Sequence, residues 1–364
     1  MKRNNLKKII LSGGGTGGSA TPLLAVAEDL RRVEPEKYQF LFVGTFSGPE
    51  KMLAAKDGLQ FKALISGKWR RYFSFKNILD LFKILLAFGQ SFIILLSFRP
   101  QLIMSAGGFV SVPLVWAAWV LHIPVIIHQQ DIRPGLANRL MAPLAKVVTV
   151  TFAKSLKDYG AKAVLVGNPL KDYWALSSDS SFSATAQKFN LSTTKPLVFI
   201  IGGGTGSLFI NNLLRESRER LVNFCQIIHI TGHSQDREDL VSRPDFSYQA
   251  FPFLDHSDIL GIMKGATVVV SRCGLGALTE LSALGKPSVL IPMPHSHQED
   301  NAQIFAQSKA AIVLSEDNLT LEAFVTVLKE ILSNEKRRNE LHRLIKEVVR
   351  IGNEEMVKVV QSFF

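Results

Sequence analysis

Residues 271–302 read SRCGLGALTELSALGKPSVLIPMPHSHQEDNA, the densest set of ligand-recognising side chains in the chain. The apolar VVV at 268–270 predicts a strand, and Gly-Leu-Gly then breaks it before a helix-like run. A strand, a glycine turn and a helix start together offer backbone N–H groups to an anion. Glu280 falls one to two turns inside that helix, where a carboxylate can accept hydrogen bonds from a sugar diol. A second strand, SVLIP, ends in a loop carrying His295, His297, Gln298, Glu299, Asp300 and Asn301. Open α/β sheets bind their ligands beyond strand ends of this kind. The same pattern also suits an ordinary βαβ unit with a polar loop. His295 and His297 form an H-x-H with no third ligand at a metal-binding spacing, so no metal site is expected.

Two further glycine loops follow apolar strands. The first, SGGGTGGSATP, comes after a strand at 8–11 and leads into a helix expected over about 23–33. Gly13, Gly14, Gly15, Gly17 and Gly18 let the backbone turn sharply and approach a ligand, and Thr16 and Ser19 add hydroxyls. No Lys follows the last glycines, so the loop is not a P-loop, and its spacing departs from the dinucleotide fingerprint. It reads either as a pyrophosphate cradle at a helix start or as a plain tight turn. Gly107 and Gly108, and the strand end at 128–131, are expected to line the same edge. Ser19, His128 and Asp131 are therefore candidates for one crevice, although His128 equally suits a strand-end histidine satisfied by a backbone partner. At 195–207 the chain restarts its opening pattern with KPLVFIIGGGTGS.

The elements that must position these residues alternate strand and helix. QFLFVG, FKALI, LIMSAGG, VIIHQ and VVTV predict strands of a first sheet, with helical stretches between them. QIIHI, the segment at 248–251, TVVVS, SVLIP and AAIVL continue a second. Such alternation predicts mostly parallel sheets. The expected layout is a first Rossmann-like domain over 1–170, a connection over 171–194, and a second Rossmann-like domain over 195–345. Residues 346–364 form an amphipathic helix packing back on the first domain. Two such domains imply a ligand cleft between them.

At 364 residues and 47% hydrophobic side chains, the chain exceeds one typical core and fits two domains of this size. Two cysteines, Cys225 and Cys273, make no disulfide framework. The apolar run near the N-terminus is too short for a signal peptide and reads as a first strand. Forty-two Lys and Arg against 31 Asp and Glu give a formal charge of +11, which suits an anionic partner. No nucleic-acid module is present, so nucleic acid is not an expected partner. The apolar run at 84–98 is broken by Gln90 and Ser91 and falls short of the roughly 20 residues a spanning helix needs. Before it, Trp69, Arg70, Arg71, Tyr72, Phe75, Leu79 and Phe82 mix basic and aromatic side chains in a manner that suits an anionic membrane surface. Packing of these apolar groups on the sheet is the simpler alternative.

SGGGTGGSATPLLAVAEDL, ISGKWRR, SAGGFVSVP, HQQDIRPGLANR, FIIGGGTGSLFIN and SRCGLGALTELSALGKPSVLIP with HQEDNA lie in colinear order over nearly the whole chain. Together they resemble the MurG family, the peptidoglycan N-acetylglucosaminyltransferases of glycosyltransferase family 28. The resemblance implies an α/β GT-B fold, with two Rossmann-like domains whose parallel sheets face across a cleft. It implies an inverting hexosyltransferase moving N-acetylglucosamine from UDP-N-acetylglucosamine to the C4 hydroxyl of the MurNAc-pentapeptide of lipid I, giving lipid II and UDP. No cofactor and no tightly bound metal is implied. The implied partners are the nucleotide sugar, a polyprenyl-diphosphate-linked acceptor, the anionic inner membrane surface and other cell-wall synthesis proteins. The implied location is peripheral, on the cytoplasmic face of a bacterial cell membrane.

The resemblance also assigns residues. Glu280 would accept the ribose hydroxyls, and Arg272, Gly274, Ala277, Leu278 and Thr279 would hold the uridine nucleotide and its phosphates. Gln298 and Asn301 would bond the sugar hydroxyls. Gly204, Thr205 and Gly206 would touch the donor diphosphate, and the backbone at Leu254 the uracil. Gly14, Gly15, Thr16, Gly17 and Gly18, with Gly107 and Gly108, would cradle the acceptor diphosphate. Three departures stand out: Ser19 replaces a family histidine, His-Gln-Gln-Asp at 128–131 replaces His-Glu-Gln-Asn, and the second loop lacks the family's Ser, Gln and Ala. A serine hydroxyl of ordinary acidity is no general base near neutral pH, whereas a carboxylate can be one. Asp131 is thus the expected base, with His128 as the alternative. Two rival readings are a GT-B transferase with another membrane lipid acceptor and a non-catalytic nucleotide-sugar binder.

Overall fold

The computed structural model describes residues 6–65, 67, 76–172, 182–204, 206–232, 240, 242, 243 and 245–364, with 76–81 in backbone only. Two compact units divide the chain: Met1–Tyr173 with Ile351–Phe364, and Trp174–Arg350.

Seven strands build the first unit: β1 (Lys7–Ser12), β2 (Tyr38–Gly44), β3 (Gln60–Ala63), β4 (Leu102–Ser105), β5 (Val125–Gln129), β6 (Val147–Val150) and β7 (Ala163–Leu165). They lie in the order β3-β2-β1-β4-β5-β6-β7, all parallel. Alternate residues of β1 feed opposite faces. Ile10 joins Ile103, Ile127 and Val148 under the Lys76–Phe98, Ser111–Val120 and Leu136–Met141 helices. Ile9 and Leu11 join Phe40 and Met104 under the Thr21–Val33 and Asn353–Gln361 helices. Burial on both faces is why the inner strands of this sheet are largely apolar, whereas the edge strand β3, QFKA, alternates with polar residues.

The second unit has six parallel strands: β8 (Leu197–Ile201), β9 (Gln226–Ile230), β10 (Tyr248–Phe251), β11 (Val268–Ser271), β12 (Ser288–Leu290) and β13 (Ile312–Val313). Their order is β10-β9-β8-β11-β12-β13. One face packs Val198, Ile200 and Tyr248 against Ile210, Phe324 and Leu328 of the Leu208–Leu221 and Leu321–Ser333 helices. In both sheets the order reverses beside the first strand of the unit, between β1 and β4 and between β8 and β11. Those two positions are the topological switch points at which such sheets bind ligands.

The first unit is closed by the end of the chain. Ile351 bridges Asn168, and Gly352 N–H donates to Asn168 O at 3.0 Å. Asn353 then clasps the peptide of Leu170, accepting from its N–H at 2.8 Å and donating to its carbonyl at 2.9 Å. The same amide donates to Asp29 in the Thr21–Val33 helix at 2.6 Å.

The Lys76–Phe98 helix is only partly core. Ala87, Ile94, Leu95 and Phe98 are buried, while Phe82, Leu85, Leu86, Ile93 and Leu96 are exposed, Ile93 by 70%. Among the described residues no helix is long and apolar enough to cross a membrane. Trp69, Arg70, Arg71, Tyr72 and Phe75 lie outside the described residues, and of Leu79 only the backbone is described.

Candidate functional site

In the second unit, the loops after β8, β11 and β12 meet the switch point from the strand ends. Gly202 through Ser207 leads from β8 into the Leu208–Leu221 helix, whose start Ser207 caps by accepting from Ile210 N–H at 3.3 Å. Gly206 has φ +84°, and a Cβ there would lie 2.2 Å from Thr231 O, so the close approach requires glycine. Gly204 lies in the same turn, and Thr205 is outside the described residues. After β11, Gly274 enters the Leu275–Leu284 helix in extended conformation, and the first helical bond runs from Leu278 N–H to Gly274 O at 3.1 Å. The preceding amides, Leu275 to Ala277, are donors that a helix start leaves for a ligand or water.

Leu278 and Thr279 are fully buried, and the Thr279 hydroxyl donates to Leu275 O at 2.7 Å. They shape the helix from beneath rather than offering side chains to a nucleotide. Glu280, in the second turn, lies 4.0 Å from His256 Nδ1 and keeps 17% of its side chain exposed. Leu254 is half-buried in the loop after β10.

Gln298 and Asn301 converge on one peptide. The Gln298 carbonyl oxygen accepts from Cys273 N–H and from Met293 N–H, both at 3.1 Å. Asn301, fully buried, donates to Cys273 O at 3.2 Å. Asn301 therefore braces the β11 loop from within, while Gln298 has its amide nitrogen left for a ligand. Arg272 points along the strand ends: its Nη1 donates to Ile291 O at 3.1 Å, Pro292 O at 3.0 Å and Glu316 Oε2 at 2.5 Å. His295 and His297 are exposed. Among the described residues no group of three or more His, Cys, Asp or Glu could hold a metal ion.

In the first unit, the loops after β1 and β4 touch. A Cβ on Gly108 would lie 2.7 Å from Gly14 O and 2.8 Å from Gly14 N, and Ser12 Oγ lies 2.9 Å from Ser111 Oγ. Thr16, Gly17 and Gly18 run into a short 3₁₀ turn, Gly17–Ser19, and the Ser19 hydroxyl donates to Thr16 O at 3.2 Å. Gly15 and Gly107 have φ +89° and +99°.

His128 corrects one expectation. It is 1% exposed, with Nε2 2.9 Å from Asn168 Oδ1 and Nδ1 3.1 Å from Thr149 Oγ1. The Asn168 oxygen only accepts, so Nε2 carries the proton and donates. Burial pulls the ring down to about 4, against the raising effect of its Asn168 and Thr149 bonds. A ring with both nitrogens engaged inside the sheet presents none to a substrate, and the role of base does not fit it.

Gln129, 2% exposed, is a hub that sequence reasoning missed. Its amide donates to Asp131 O at 2.6 Å and Arg133 O at 3.1 Å, while its oxygen accepts from Asn138 at 2.7 Å and Tyr159 at 2.9 Å. A carboxylate here could not donate to those two carbonyls, so Gln at this position and the turn carrying Asp131 belong together. Asp131 itself is half-buried at the strand end.

Comparison with known proteins decides what these edges belong to. The glycosyltransferase family 28 N-terminal domain matches residues 9–150, and the family's C-terminal domain matches 197–353. The UDP-N-acetylglucosamine–N-acetylmuramyl-(pentapeptide) pyrophosphoryl-undecaprenol N-acetylglucosamine transferase of Clostridium kluyveri is 35% identical over 98% of this chain and 100% of its own. The transferase of the same name from Clostridium tetani is 33% identical over 98% of both. The chain belongs to glycosyltransferase family 28. The crystal structure of Acinetobacter baumannii MurG shares the fold, with a TM-score of 0.73 at 22% identity over 98% of this chain and 99% of that one. The Staphylococcus aureus MnaA–UDP co-structure also superposes, with a TM-score of 0.73 at 12% identity over 98% and 97%. The family fold is GT-B, and both of this chain's parallel sheets conform to it.

Proposed function

We propose that the protein transfers N-acetylglucosamine from UDP-N-acetylglucosamine to the C4 hydroxyl of the N-acetylmuramyl-pentapeptide of lipid I, with inversion, giving lipid II and UDP. The observation that carries this is the near full-length identity to transferases named for the reaction. The second unit supplies a matching donor edge. Glu280 accepts the ribose hydroxyls, the backbone at Leu254 meets the uracil, and the amides opening the Leu275–Leu284 helix meet the diphosphate with Gly204, Thr205 and Gly206. Gln298 offers its amide nitrogen to the sugar. The charge that develops on departing UDP is stabilised by these fixed N–H dipoles; one such donor in an acyl-transfer enzyme is worth about 3 kcal/mol.

On the acceptor side, the paired glycine loops receive the diphosphate. Asp131 takes the proton of the C4 hydroxyl as its oxygen bonds to the anomeric carbon and the bond to UDP breaks. The choice of Asp131 over Ser19 rests on acidity, since a serine hydroxyl is no base near neutral pH, and over His128 on burial, since both nitrogens of that ring are engaged inside the sheet. The Lys76–Phe98 helix exposes an apolar stripe, and the Ser111–Val120 helix packed against it exposes Trp119 and Val120 as well. On a chain whose formal charge is +11, this apolar face suits peripheral contact with the cytoplasmic surface of an anionic inner membrane.

The test is transfer of labelled N-acetylglucosamine to a short-chain lipid I analogue by wild type and by Asp131→Asn. Wild-type product with a loss of roughly 100-fold or more in the variant, at unchanged UDP affinity, is expected. Full activity in Asp131→Asn removes it as the base. No wild-type product despite UDP binding favours another membrane lipid acceptor, the reading to which the departures at Ser19 and Asp131 point. Flotation with anionic vesicles should be lost in Ile93→Glu/Leu96→Glu.

A further inference from the structure

One guanidinium nitrogen joins the ligand-facing ends of three neighbouring strands. Arg272 is the first residue beyond β11, Ile291 and Pro292 are the first beyond β12, and Glu316 lies shortly beyond β13. Nη1 of Arg272 reaches both carbonyls and the Glu316 carboxylate. The guanidinium side chain is 11% exposed and the carboxylate 21%, so the pair is largely withdrawn from water. A charge-assisted bond in such a setting holds geometry better than a solvated pair. Removing one partner leaves the other charge buried and uncompensated.

The clamp has a direction. Ile291 N–H donates to Ser271 O at 2.9 Å, so the β12 end is already joined to β11 at one point. Arg272 holds the next two carbonyls, and Gln298 holds the next amide, that of Met293, together with Cys273 N–H. The chain of contacts thus runs from Glu316 through Arg272 and the 291–293 backbone to the Gln298 side chain. Glu280 is not on it. It stands on the Leu275–Leu284 helix, which Leu275, Leu278 and Leu281 anchor in the core independently of Glu316.

We propose that Glu316 is a positioning residue for the sugar end of the donor, acting through Arg272 to fix the backbone against which Gln298 is set. It rests on the reading above that Gln298 faces the transferred hexose. Glu316 therefore governs recognition of the hexose and leaves recognition of the uridine diphosphate alone.

The experiment uses the full chain with Glu316→Gln, Arg272→Lys and the double variant. It measures KM for UDP-N-acetylglucosamine, kcat, calorimetric Kd for UDP, and the melting temperature. Glu316→Gln should raise the donor KM about tenfold with kcat within about threefold and Kd for UDP within about twofold. Arg272→Lys, whose shorter side chain does not carry its nitrogen to the place of Nη1, should raise the donor KM similarly, so the idea stays testable if Glu316→Gln folds poorly; since the resemblance also sets Arg272 against the nucleotide, the Kd for UDP is read on Glu316→Gln alone. The double variant should be no worse than the worse single, the mark of residues that act as one unit. Equal losses for UDP and the nucleotide sugar would overturn the sugar-end assignment. An unchanged KM, or additive losses in the double variant, would overturn action through Arg272. A wild type that binds UDP but neither binds nor turns over UDP-N-acetylglucosamine would instead sink the functional reading, and this proposal with it.

Discussion

Gly-Gly-Gly-Thr-Gly follows both β1 and β8, yet the two copies of this loop have different neighbours. After β1 the loop is wedged between Thr45 and Glu50 beyond β2 and the turn beyond β4, where Gly14 and Gly108 lie backbone to backbone. After β8 its last glycine rests beyond β9, with Gly206 against Thr231 and Gly232. The β11 side of that switch point is furnished by side chains instead, Arg272 bracing the strand ends and Gln298 the Cys273 peptide. The first unit's edge is therefore closed by backbone where Gly14 meets Gly108, while the second unit's edge couples one closed glycine, Gly206, with side chains that substitution can adjust. Identical local sequence acquires its geometry from what stands next to it.

The sharpest way to break this contrast is Gly108→Ala. A left-handed φ of +90° combines with a Cβ inside van der Waals contact of Gly14, so stability should fall by about 4 kcal/mol. Denaturant unfolding showing a change below about 1 kcal/mol would refute a closed first-unit edge. Acid titration probes the interiors beneath the two edges. His128 is drawn down to about 4 and His229, by burial, to about 3. Both rings are neutral when folded, but the unfolded chain binds their protons below about 6.5. Their contribution is thus complete above that pH and is lost as the pH falls, for His128 across the window from about 6.5 to about 4. The loss for His128 is ~3 kcal/mol, and His128→Gln should flatten the stability profile across that window. An unaltered slope would show that His128 is already charged in the folded state.

Asn353→Ala removes the clasp on Leu170 and the bond to Asp29, and should lower stability by about 2 kcal/mol. The loss should appear in first-unit amide exchange alone, and protection lost equally in the second unit would contradict the division. Gly204→Ala is the smallest. A Cβ there meets nothing within 4 Å, so stability should hold to within about 0.5 kcal/mol. Its donor KM should nonetheless rise severalfold, since close approach of phosphate to that backbone is its assigned use. Unchanged steady-state kinetics would remove Gly204 from the donor edge.

The architecture was readable because its signals are local. Apolar runs such as VVTV and LIMS, glycine turns behind them and helical spacing between them define parallel strands, and the ordered motifs carried the family and its activity. Partnerships between distant side chains have no such signature. Nothing in HQQD says that Gln129 donates to the turn ahead of it, or that His128 is occupied by Thr149 and Asn168. Arg272 and Glu316 lie 44 residues apart, and only the pairing of β11, β12 and β13 brings them together. The apolar stripe of the Lys76–Phe98 helix was hidden for another reason. Exposed Leu85, Ile93 and Leu96 and buried Ala87, Ile94 and Leu95 are alike in composition, so hydropathy cannot tell which face the sheet covers.

Asn353, which clasps Leu170, has a consequence for synthesis on the ribosome. All of residues 174–350 emerge before the helix that completes the unit to which residues 6–172 belong. The second unit is contiguous and can fold as it appears, whereas the first must wait with the Ile9, Leu11 and Phe40 side of its sheet incompletely covered. During that interval this apolar face is open to chaperones and to aggregation.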